Sequence, residues 1–257
     1  MTEETTETLY LLGEQDRIVG ISGFTVRPPE ARKEKPKVSA FTSAKIDKIL
    51  DLKPDLVLGF SDLQADIAAD LIRHGIDVYV FNQRSVAGIL KMVRTVGALT
   101  GCQSKAEALA DSLEKNVEEI REQARSDSRR PKVYFEEWDD PLFSGIQWVS
   151  ELVGIAGGDD CFPELSKESL GKNRIIENPD EVIRRQPDII IGSWCGKKFR
   201  PERVAERPGW NEIPAVRDRQ VFEIKSAVIL QPGPAALSEG VQQIRSIIKT
   251  WAAAGDT

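Results

Sequence analysis

The stretch of this chain best equipped for chemistry is GSWCGKKF, where Cys195 stands between Trp194 and the lysines Lys197 and Lys198. Neighbouring cations favour a thiolate, so the setting allows a reactive or metal-binding cysteine. A small strand-end residue with no catalytic role is the reading favoured over it. Glu136 and Glu137 are the other chemical candidates. Neighbours on a strand face opposite ways, so only one of the two can point into a given site, and the sequence leaves open which. Proton shuttles are scarce. His74 is the single histidine and precedes Gly75 at the end of an apolar-periodic segment, where it reads as a helix C-terminal residue. Cys102, Cys161 and Cys195 have no C-x-x-C spacing, so they define neither a disulfide framework nor a zinc site. No P-loop, G-x-G-x-x-G, G-x-S-x-G or HExxH motif occurs. A binding role therefore fits these residues better than a catalytic one.

The elements that must carry these residues follow an alternating plan. Strands are expected at RIVGISGF, at Leu56 to Phe60 and at Ile76 to Phe81, with helices between them. One unit occurs twice. IDKILDLKPDLVLGF and PDEVIRRQPDIIIGSW each read as a short helix, a Pro-Asp stop, an apolar strand, a glycine and then an aromatic residue. From Ser104 to Ser126 the pattern is one long charged helix with a narrow stripe at Ala108, Leu109, Leu113, Val117 and Ile120. The second half restarts with a strand over Lys132 to Trp138, a turn DDPLFSG and a helix IQWVSELVGIAGG. The fold class expected is α/β: two Rossmann-like lobes with mainly parallel sheets, joined by one long helix. The divisions are an N-terminal lobe over 1–102, the connecting helix over 103–128 and a C-terminal lobe over 129–257.

In open α/β sheets ligands bind beyond the carboxyl ends of the strands. Those ends supply Phe24, Phe60 and Phe81 in the first lobe, and Glu136, Trp138 and Trp194 in the second, with Phe41 in a nearby turn. With Lys197 offering charge to an anionic group, they would suit a sizeable, partly apolar ligand in a cleft between the lobes. Phe60 and Phe81 are as well suited to a core, and Trp148 and Trp210 read as packing residues. The formal charge of −6 argues against nucleic acid or an anionic membrane surface as partner. No apolar run approaches the ~18–20 residues of a membrane span. MTEETTETLYLLG lacks the basic and apolar regions of a leader and reads as a helix entered abruptly, with Leu9, Leu11 and Leu12 as its apolar face. An element preceding it, a strand, is expected to be missing.

Taken in order, ETLYLLGEQDRIVGIS, RPPEA…KPKVSAF, IDKILDLKPDLVLG, LIRHGIDVYVF, FSGIQWVSELVGIAGGDD, NPDEVIRRQPDIIIG and AVRDRQVFEI resemble the helical-backbone substrate-binding proteins of ABC importers. Vitamin B12 and ferric-siderophore receptors make up this family, and the cobalamin-binding branch is the most similar. The resemblance spans nearly the whole chain. It implies a monomeric, non-catalytic binding protein that needs no cofactor and holds a corrinoid or other metal chelate as its ligand. Phe24, Phe41 and Phe60 fall where first-lobe contacts would lie; Trp138, Trp194, Glu136 and Lys197 are the second-lobe choices. The resemblance also implies an ABC permease as partner, met through an exposed glutamate on each lobe. The matching stretches, Gln64 to Asp66 and KSAVILQPGP, hold no glutamate. Kinship points to the periplasm or cell surface, whereas the missing leader points to the cytoplasm. The other functional class is a tetrapyrrole- or metal-handling enzyme using Cys195 with Glu136 or Glu137.

Overall fold

The computed structural model describes residues 1–254, and the chain falls into two compact units. Unit 1 holds Met1–Gln83 and Ala87–Ser112, and unit 2 holds Arg84–Val86 and the chain from Leu113 onward. Unit 1 runs α1 (Glu3–Leu11), β1 (Ile21–Ser22), α2 (Pro29–Glu34), β2 (Lys37–Ser39), α3 (Ile46–Asp51), β3 (Val57–Phe60), α4 (Ala65–Arg73), β4 (Val78–Phe81) and α5 (Val86–Leu99). Its strands form two parallel pairs, β1 with β2 and β3 with β4. The strand expected over RIVGISGF is much shorter than the apolar run. Gln15–Arg17 coils into a 3₁₀ turn, and the ladder shifts register between Ile21 and Ser22.

Helix α1 also departs from expectation. Leu9 and Leu12 are buried, but Leu11 is exposed, and the whole polar run Thr2–Thr8 lies buried. Local bonding makes that tolerable. The Thr6 and Thr8 hydroxyls donate to the Thr2 and Glu4 carbonyls at 3.0 and 2.7 Å, and Arg27 donates to Glu7 at 2.9 Å. Buried polar groups persist where they find such partners.

Helix α6 (Gln103–Arg125) is the long charged helix read from the sequence, within a residue at each end. Its buried residues are Ala106, Ala110, Leu113, Val117, Ile120 and Ala124. That is an alternating three- and four-residue spacing along one face. Ala108 lies on the exposed side instead. Within unit 1, Gly97 of α5 lets α6 come close: a Cβ there would sit 2.1 Å from the Ala106 Cβ.

Unit 2 holds β5 (Lys132–Asp139), β6 (Leu142–Ser144), α7 (Gln147–Ile155), β7 (Asp159–Asp160), α8 (Pro163–Ser166), α9 (Asp180–Arg185), β8 (Ile189–Gly192), α10 (Pro201–Ala205), α11 (Pro214–Arg217), β9 (Val221–Glu223), α12 (Ser226–Ile229) and α13 (Val241–Ala254). Its sheet is ordered β6-β5-β8-β9, with β7 also on β5; every pair is parallel except β5–β6. The stretch DDPLFSG, expected as a turn, folds back as the antiparallel β6, because a three-residue strand carries too little periodicity to register in the sequence. Ile189, Ile190 and Ile191 are fully buried, as a central parallel strand demands. One core cluster packs Tyr134, Phe162, Ile190, Trp194, Phe199 and Trp210 together. Trp148, also buried, donates to the Ile229 carbonyl at 2.8 Å. Trp148 and Trp210 are thus packing residues.

The repeated motif gives the same local structure in both units. Helix α3 leads through Lys53 (φ 48°) into Pro54 and β3, and α9 leads through Gln186 (φ 50°) into Pro187 and β8. The left-handed residue reverses the chain at each helix end, and proline bars the helix from continuing.

Candidate ligand-binding site

The carboxyl ends of the unit 1 strands carry an exposed apolar group. Phe24 is 55% exposed and Phe41 37%, following β1 and β2, and Leu63, following β3, is 49% exposed. Backbone bonds fix these turns. The Gly23 N–H donates to the Ser39 carbonyl at 2.7 Å, and the Phe24 N–H to the Ser22 hydroxyl at 3.1 Å. Ser61, held at φ 64°, accepts from the Leu63 N–H at 3.2 Å. Gln64 joins two of the turns: its amide nitrogen donates to the Phe41 carbonyl at 3.0 Å, and its oxygen accepts from the Phe60 N–H at 3.0 Å. The side chain is buried, so this amide is committed to shape. Sequence reasoning passed over Gln64 as a positioning residue, since a glutamine after Ser-Asp-Leu has no recognisable spacing. Phe60 itself is buried, at 6% exposure, and stands apart from the exposed pair.

At the strand ends of unit 2 the candidates are drawn into a polar cluster. Glu136 is fully buried on β5. Its carboxylate accepts from both Arg207 terminal nitrogens, at 2.6 and 2.8 Å, and from the Trp194 indole N–H at 3.0 Å. Bidentate guanidinium–carboxylate pairing is the strong form of this interaction. Glu137, on the opposite face, is bound by the buried Arg174. Both carboxylates are therefore engaged by arginine.

Trp194 is 3% exposed and meets the Phe199 ring edge-on at 4.8 Å. Trp138 is partly buried, its indole donating to the Asp140 carbonyl at 2.8 Å. Lys197 binds Asp139 at 2.6 Å and lies 5.3 and 5.1 Å from the centroids of the Trp138 and Trp194 rings. Trp138, Trp194, Glu136 and Lys197 thus form one connected group, with the Lys197 ammonium over its two indoles. Cys195 is exposed. Cys161 is buried, and burial pushes its thiol up to about 12. Among the described residues no three His, Cys, Asp or Glu side chains converge as a metal site.

Aligning the two motif copies on their Pro-Asp pairs places Gly59 with Gly192, Phe60 with Ser193 and Ser61 with Trp194. The two aromatics are therefore one residue out of step. Successive strand residues alternate faces, so Trp194 is no structural counterpart of Phe60.

The sequence model of the periplasmic binding protein family matches residues 1–228 of the chain. The chain belongs to that family. Among similar proteins of this periplasmic binding family is an uncharacterized ABC transporter substrate-binding lipoprotein of Bacillus subtilis, 27% identical over 95% of this chain and 76% of its own. A vitamin B12-binding protein of Vibrio parahaemolyticus is 23% identical over 93% of this chain and 84% of its own. Among solved structures, the periplasmic heme-binding protein of Roseiflexus superposes with a TM-score of 0.80, at 22% identity, over 96% of this chain and 97% of that one. The α/β plan with mainly parallel sheets is thus a periplasmic binding protein fold. Among the described residues no helix is long and apolar enough to cross a membrane.

Proposed function

We propose that this periplasmic binding protein is the non-catalytic ligand receptor of an ABC importer, and that its ligand is a corrinoid or a related flat metal chelate such as heme. The observation that carries the ligand class is the exposed Phe24 and Phe41 at the carboxyl ends of parallel strands, since aromatic side chains left in solvent at that edge suit a large apolar face. In unit 2, Trp138 and Lys197 supply an aromatic surface and a cation for a peripheral carboxylate or phosphate. Glu136 and Trp194 act behind them, holding β5 and β8 in place. The names of the Vibrio and Roseiflexus relatives support a tetrapyrrole-like ligand. Apolar contact at ~25 cal/mol per Å², less the cost of association, supplies most of the affinity.

Titration with cobalamin, cobinamide and heme, followed by tryptophan quenching, tests the reading. Saturable quenching by one of them is expected, and Phe24→Ala with Phe41→Ala should weaken it at least tenfold. Silence with all three removes the ligand class. The enzymatic reading is disfavoured because Glu136 and Glu137 are each engaged by an arginine. Accordingly Cys195→Ser should bind as the parent does.

A further inference from the structure

The turn that presents Phe24 is gripped by one arginine. Arg32, on α2, donates through Nη1 to the Gly23 carbonyl at 2.9 Å and to the Thr25 carbonyl at 3.2 Å. Those two carbonyls bracket Phe24 in the chain. The turn is also closed from within, since the Thr25 N–H donates to the Ser22 carbonyl at 3.1 Å. The guanidinium therefore lies against the backbone that holds out the exposed Phe24 ring. Part of its conformational freedom is already lost, so a further bond made by the same group costs less ordering.

Nη1 is only one corner of that group. A guanidinium presents N–H pairs that match the two oxygens of a carboxylate or phosphate, and Nε with Nη2 forms one such edge. Among the described residues neither of these nitrogens has a hydrogen-bond partner, and no carboxylate pairs with Arg32. The residue is exposed. The cations at the strand ends of unit 2 differ. Lys197 is held by Asp139, Arg207 by Glu136 and Arg174 by Glu137. An incoming anion there meets a charge already answered by a carboxylate, and that carboxylate repels it. At Arg32 the partners are neutral carbonyls, so the positive charge is left uncompensated.

Resting on the receptor reading above, we propose that Arg32 is an anion subsite of the unit 1 ligand face. Through Nε and Nη2 it takes a carboxylate or phosphate on the rim of a ligand whose flat face lies on Phe24, while Nη1 keeps its two carbonyls. The subsite favours a ligand with an anionic rim group over one whose rim is wholly amide or ester. Matched probes that differ in rim charge test this. Cobyric acid carries a carboxylate where cobinamide has an amide, and heme carries two where its dimethyl ester has none. Each is titrated by calorimetry, at low and high salt, against the parent chain, Arg32→Gln and Arg32→Lys. For the pair that binds, Arg32→Gln should weaken the carboxylate-bearing member about tenfold and leave the neutral member within twofold. The neutral member thereby doubles as the control for folding. Arg32→Lys, which keeps the charge without the fork, should fall between. Salt should weaken the carboxylate-bearing probe more in the parent than in Arg32→Gln. An equal loss for both members overturns the proposal and leaves Arg32 as a brace for the Phe24 turn alone; no loss for either overturns it as well. A parent that binds none of the four probes removes the receptor reading and this proposal together, whereas binding with no charge-selective loss removes this proposal only.

Discussion

Glu136 shows how one buried side chain can organise a strand end. Removed from water, it is tolerable as an anion because Arg207 and the Trp194 indole together satisfy its carboxylate. Arg207 in turn stacks on Trp210, 4.4 Å from the ring centroid. Breaking a buried pair from one side leaves an uncompensated charge. Arg207→Met should therefore lower unfolding stability by about 3–5 kcal/mol, measured by urea denaturation. Adding Glu136→Met should recover most of that loss, since paired apolar replacement removes the desolvated charge as well. The sequence announces a carboxylate, a tryptophan and a basic residue, but not that they meet. Glu136 and Arg207 are 71 residues apart, and no local spacing links them. Their assembly depends on tertiary packing, which periodicity does not encode.

At the scale of elements, the sequence was most legible where local chemistry decides the outcome. Helix α9 and strand β8 follow from a Pro-Asp stop and an isoleucine run, and α6 from its heptad-like stripe. Elements held by long-range pairing were read less well: β1 is shorter than its apolar run, and β6 passes for a turn. Gly192, at the end of β8, looks like an ordinary strand-end glycine. Its actual task is steric, since a Cβ there would fall 1.8–2.5 Å from three Phe199 ring atoms. Gly192→Ala should cost about 1–3 kcal/mol through overpacking, and less in a Phe199→Leu background; thermal midpoints of the parent, the two single variants and the double variant decide it. Helix α1 makes a second prediction. Burial raises the Glu4 carboxyl from 4.5 to about 7, and its Oε1 has no hydrogen-bond partner. The native state then keeps a proton that the unfolded chain releases, so this group lowers stability as pH rises from 4.5 toward 7. The Met1 amino group falls from 8.0 to about 6 and acts oppositely, adding stability between pH 6 and 8. Glu4→Gln should therefore flatten the decline between pH 4.5 and 6 and spare the later rise, as followed by urea midpoints across that range.

For the molecule as a whole, both units use the same helix–Pro-Asp–strand device, yet they differ in how a ligand could be read out. All five tryptophans, Trp138, Trp148, Trp194, Trp210 and Trp251, belong to unit 2. Unit 1 is optically silent at the indole band. Trp148, Trp194 and Trp210 are nearly solvent-free, so their emission should be blue-shifted in the native protein and move to the red only when unit 2 opens. Circular dichroism at 222 nm, by contrast, sums the helices of both units. If the units melt independently, the ellipticity trace will show two steps and the fluorescence trace one; if they melt together, the two traces will coincide. A clustering of one residue type in the second half of the chain therefore makes each unit separately visible, with no label added.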